Sequence, residues 1–164
     1  MFKKAKPLKD PSDSKHGYEY AMFLLDLRLR TEGEIKDKMQ QRGYTTDVIA
    51  TVINQLKELK YVDDTRLASV LIENYKLYKI YGFYKIKQKL MEKRLPPGLI
   101  ESSLEEFFPV EDEIEVAKRF IINEFPKYLT DSNKFTYPEK QKIGQKLQSR
   151  GFRMDVIAKL VFNR

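Results

Sequence analysis

One pattern occurs three times along the chain and limits what it can fold into. Segments 35–44, 86–95 and 143–152 each open on isoleucine, with Lys at i+3, Met or Leu at i+4, a base at i+7 and a bulky apolar residue at i+9. Positions i and i+4 share one helix face, so each copy describes an amphipathic helix with Lys and Arg beside its buried stripe. Gly43 and Gly151 follow the first and third copies, where a C-cap needs positive φ. Arg94 stands there in the middle copy, so that helix is expected to end differently, with Pro96-Pro97 supplying the stop.

Around these helices the apolar spacing predicts a helix before and a helix after each copy. The first helix of the chain runs from Tyr18 to near Arg30, and capping boxes are read at Thr31-Glu32-Gly33-Glu34 and Thr136-Tyr137-Pro138-Glu139. Ile35 to Ile86 is 51 positions and Ile86 to Ile143 is 57. Loops absorb such a difference at about 0.6 kcal/mol per doubling of length. No segment alternates at strand period. The expected fold is therefore all-α: three tandem three-helix repeats forming an elongated, curved array, at 17–62, 63–110 and 111–164, after a basic flexible tail over 1–16.

The chain contains no cysteine, which removes disulfides, thiolate metal sites and a cysteine nucleophile. Its single histidine, His16, falls in the expected tail and reads as a surface residue, so no histidine base or ligand cluster can be assembled. Asp63-Asp64 and Glu111-Asp112-Glu113 suit either a metal or general-acid site or a helix start; their place just ahead of apolar helical runs favours the helix start. There is no glycine-rich phosphate loop and no apolar run of membrane-spanning length, and the N-terminus lacks the apolar core of a secretory signal. The expectation is a non-enzymatic, cytoplasmic monomer with no cofactor, no metal, no small-molecule substrate and no membrane partner.

The net charge of +7 points to an anionic partner, and its distribution says where. Residues 75–95 carry seven bases against Glu92 alone, interleaved with Tyr75, Tyr78, Tyr81, Phe83 and Tyr84, while residues 101–115 carry seven acids and no base. Rings among cations compose a nucleic-acid surface, or else a core edge beside a solvated face; Tyr75 is given to the core. The bases at i+3 and i+7 repeat as Lys38 and Arg42, Lys89 and Lys93, Lys146 and Arg150. With Lys76, Lys79, Lys85 and Arg94 they form the candidate anion- and partner-binding ridge. The competing reading is that these long side chains only cover the core.

The run Tyr61-Val62-Asp63-Asp64-Thr65-Arg66-Leu67-Ala68, then Gly82-Phe83-Tyr84-Lys85-Ile86, resembles the centre of the RecX regulatory proteins, and the stretch from Ala21 to Gly43 resembles that family's first repeat. The likeness spans roughly residues 18–164. Phe83 departs from the family's proline, Arg94-Leu95 from its Gly-Ile, and Leu67 from its Phe. The resemblance implies tandem three-helix repeats that lodge in the groove of the RecA filament on single-stranded DNA, limiting filament growth and lowering ATPase and strand exchange. The alternative class is a stand-alone DNA binder built of helix-turn-helix-like units.

Overall fold

The computed structural model describes residues 8–127 and 135–162, and every regular element among them is helical, as expected. In chain order these are α1 (Ser14–Leu27), α2 (Glu32–Arg42), α3 (Thr46–Glu58), α4 (Asp64–Asn74), α5 (Phe83–Glu92), α6 (Pro97–Phe107), α7 (Val110–Glu124), α8 (Tyr137–Ser149) and α9 (Met154–Ile157). Two π-helical turns, Tyr75–Lys79 and Ala158–Phe162, prolong α4 and α9. The chain divides into two compact units, the first running to Leu67 and including Lys93–Leu95, the second holding Ala68–Glu92 and the chain from Pro96 onward.

In the first unit α1, α2 and α3 pack pairwise around Ala21, Ile35, Met39, Ile49, Val52, Ile53 and Leu56, all buried. Order begins earlier than the expected tail allows. Asp13 accepts the His16 N–H at 3.0 Å and starts α1 at Ser14, while Leu8 packs on the core and the Pro11 carbonyl accepts the Thr45 N–H at 3.1 Å. His16 is exposed, as expected, and its Nδ1 lies 2.6 Å from the Tyr44 hydroxyl. The helix also stops sooner, at Leu27 rather than near Arg30. The Thr31–Glu34 capping box is present: the Glu34 N–H meets Thr31 Oγ1 at 3.0 Å and the Thr31 N–H meets Glu34 Oε2 at 3.2 Å.

Lys93–Leu95 complete this unit. Thr31 Oγ1 donates to the Lys93 carbonyl at 2.5 Å, and Leu95 is buried. The expectation that Arg94 ends its helix by a different route is corrected: it adopts φ 60°, the left-handed state that Gly43 and Gly151 hold at 102° and 82°. Position, rather than residue type, demands that conformation. Gly33 sits so close that a Cβ there would fall 2.5 Å from the Arg94 carbonyl oxygen. Asp63 caps α4 by accepting the Arg66 N–H at 2.9 Å, and Asp64 reaches back to accept the Glu32 N–H of α2, also at 2.9 Å.

The second unit is built on Ile72, Ile86, Leu90, Ile100, Leu104, Phe108, Phe120, Ile121, Ile143, Leu147, Phe152 and Ile157. Phe108 rather than Phe107 is the buried ring after α6. The start of α5 meets the end of α8: the Gly82 N–H donates to the Arg150 carbonyl at 3.0 Å and the Tyr84 N–H to the Gly151 carbonyl at 2.8 Å. Glycine is required at 82 because a Cβ would collide with the Phe152 backbone.

Candidate partner-binding surface

The ridge residues of the first unit are only partly free. Lys38 is exposed, with a 3.4 Å contact to Gln41 and no acidic partner among the described residues, whereas Arg42 is half-buried. Arg94 pairs with Asp37 at 2.9 Å and Lys93 lies 3.6 Å from Glu34, which also binds Arg28 at 2.8 Å. Burial opposes ionisation of Glu34, yet Arg28, the Thr31 N–H and Lys93 together hold its carboxyl below the ordinary 4.5.

In the second unit one expectation fails outright. Lys76 is buried, and its ammonium bonds Glu73 at 2.7 Å, Asp112 at 2.7 Å and the Phe107 carbonyl at 2.9 Å, so it holds the fold together rather than facing a partner. Burial pulls its pKa down, but the bonds to Asp112 and Glu73 prevail and raise it above 10.5. A buried cation has to be paired and hydrogen-bonded to be tolerated, and this one is.

The remaining bases fall into two sets. Lys89 pairs with Glu92 at 2.7 Å and Lys146 with Glu124 at 2.8 Å. Each bond lifts the lysine or depresses the acid: Lys89 is raised first by Glu92, and Glu124 is lowered first by Lys146. Arg150 lies over the Phe120 ring at 5.1 Å and the Tyr81 ring at 5.9 Å, and donates to the Lys79 carbonyl at 2.7 Å. Lys79, by contrast, is exposed, while Lys85 is half-buried, donates to the Gln88 amide oxygen at 3.3 Å and, after Lys89, helps to lower the Glu92 pKa. Both flank the end of α8, through Arg150 and through the contact of Gly151 with the Lys85 backbone. Tyr78 and Tyr84, 77% and 58% exposed, stand beside them in sequence.

Two features escaped the sequence reading. The first is the π-helical turn ending at Ile80, whose φ of 52° is costly for a β-branched residue. Only the aromatic-basic composition of 75–85 pointed towards it. The second is Glu113, fully buried, which accepts the Phe83 N–H at 3.0 Å, the Arg153 N–H at 3.0 Å and Arg153 Nε at 2.5 Å. Glu113 and Asp64 do the same thing in the two units. Each sits in the first turn of its helix and supplies a carboxylate to the N-terminus of an earlier one, where negative charge is favoured. For Asp64, burial raises the pKa and the Glu32 N–H opposes that rise. Among the described residues no group of acids, histidines or cysteines is arranged to hold a metal, and no helix is long and apolar enough to cross a membrane.

The family whose model matches is RecX, first three-helix domain, over residues 18–56. A regulatory protein RecX from Caldanaerobacter subterraneus subsp. tengcongensis is 26% identical over 147 residues, covering 90% of this chain and 70% of that one. The regulatory protein RecX of Legionella pneumophila (strain Corby) is 30% identical over 146 residues, 87% of this chain and 91% of the relative. Among solved structures, RecX from Lactobacillus salivarius aligns with a TM-score of 0.80 at 25% identity, across 92% of this chain and 96% of that one. Identity at that level over nine-tenths of the Legionella protein settles the matter: this chain belongs to the RecX family of regulatory proteins.

Proposed function

We propose that the protein regulates the RecA recombinase without catalysis of its own, binding the groove of the RecA filament on single-stranded DNA and limiting its growth and ATP hydrolysis. The observation that carries this reading is membership of a family of regulatory proteins. The exposed cations Lys38 and Lys79, with the half-buried Lys85, supply what an acidic groove would attract. Lys89, Lys93, Arg94 and Lys146 belong to the same proposed contact set, because surface ion pairs are worth only about 0–1 kcal/mol and exchange readily for a partner's carboxylate or phosphate. Arg42 and Arg150 complete the set; Lys76 does not belong to it. The reading treats 17–62, 63–110 and 111–164 as its three repeats.

A stand-alone sequence-reading DNA binder is less well supported. The exposed side of α3, the helix that would enter a major groove, carries Asp47 and Glu58, and its Lys57 is paired with Glu32 at 2.8 Å. The test is ATP hydrolysis by RecA on single-stranded DNA, titrated with this protein. Hydrolysis is expected to fall well below stoichiometric ratios, and no change at a molar excess would overturn the proposal.

A further inference from the structure

Helix α1 is apolar on two sides. Ala21 and Leu24 are buried in the first unit, while Phe23 and Leu27, one turn apart on the outward side, stay 56% and 62% exposed. A helix that is apolar all round is normally covered all round, yet nothing among the described residues covers this side. The face is particular to α1. Helices α1, α4 and α7 each carry a fully buried alanine, Ala21, Ala68 or Ala117; two and six positions after it α4 has Val70 and Asn74, and α7 has Arg119 and Asn123. Packing of such a helix therefore does not call for a large apolar residue at either place. Exposed carboxylates flank the pair: Glu19 stands one turn before Phe23 and Asp26 one turn after it, with Lys15 a further turn back.

The outward side of α5 is the complement of this face. Tyr84 and Met91, 58% and 57% exposed, stand two turns apart with Lys87 between them, opposite the buried Ile86 and Leu90. Lys87 reaches Glu101 at 3.4 Å, a long and exposed pair that exchanges readily. We propose that the chain associates with itself head to tail, the outward face of α1 in one copy docking on the outward face of α5 in the next. Lys87 then comes between the carboxylates of Glu19 and Asp26, while Phe23 and Leu27 lie on Tyr84 and on the adaptable thioether of Met91. Paired with its own kind, the α1 face would set carboxylate against carboxylate. Because the two faces differ, the contact is heterologous: each copy keeps one face free, and copies add into short chains. Either face is small against the roughly 800 Å² per partner of a standard interface, so the association is weak. It departs from the monomer expected from the sequence, and it neither uses the proposed RecA contact set nor needs the RecA reading.

The test is sedimentation equilibrium of the full chain alone, without RecA or DNA. The average molar mass is expected to rise above the monomer's 19.5 kDa from about 100 μM upward, and to rise less in high salt. Two variants, each checked for folding by circular dichroism, disable one face apiece: Phe23→Gln with Leu27→Gln on α1, and Met91→Glu on α5. Each alone should stay at the monomer mass. Mixed in equal amounts they retain one intact α1 face and one intact α5 face between them, and should form a dimer that grows no further. A wild-type chain still monomeric at about 1 mM would overturn the proposal, as would self-association that neither variant weakens. A mixture that stays monomeric where wild type associates would overturn the head-to-tail pairing in favour of like faces meeting.

Discussion

Glu113 shows how much one buried side chain can hold. Its carboxylate takes two backbone N–H groups and a guanidinium with no solvent access, so Glu113→Ala strips partners from the starts of α5 and α9 and leaves Arg153 uncompensated. The expected loss is about 3–5 kcal/mol, against about 1–3 kcal/mol for Glu113→Gln, which keeps an acceptor in place; urea denaturation of the two variants checks the order. Neither its role nor that of Lys76 could be read from the sequence. Glu113 looked like one of three acids at a helix start, which it also is, and its partners Phe83 and Arg153 lie 30 and 40 residues away. Lys76 reads as a surface base because it is one of seven bases in residues 75–95, and only Glu73, three residues before it, offers a local sign of pairing.

The helices themselves were legible wherever local chemistry acts. The isoleucine-led stripes, the two capping boxes and the glycine ends at Gly43 and Gly151 all correspond to observed helix faces and termini. Two boundaries were not. The π-helical turn at Tyr75–Lys79 has no marker at the level of periodicity, since it directly continues α4. Arg94 misled because its type argued against a conformation that its surroundings impose. Replacing it makes that argument testable. Arg94→Gly removes the cost of a non-glycine residue at φ 60° and forfeits only the exposed pair with Asp37. Its thermal denaturation is expected to show a gain of up to about 1 kcal/mol.

For the molecule as a whole, the net charge of +7 does not say which bases face outward, because Lys76 is buried and many others are paired with acids. Two paired charges, Glu34 and Lys76, make stability depend on pH from opposite sides. Glu34 titrates below its ordinary 4.5 in the folded protein, so its contribution is complete above that value and is lost as pH falls through the lower, folded one. Lys76 titrates above its ordinary 10.5, so its contribution is complete below that value and is lost as pH rises through the higher, folded one. Chemical denaturation across pH is expected to show an acid decline that Glu34→Gln blunts and an alkaline decline that Lys76→Met blunts. The reach-back carboxylates carry one further implication. A helix start whose cap stands 32 or 30 residues later in the chain, as at Glu32 and Phe83, cannot be severed from that acid without baring polar backbone.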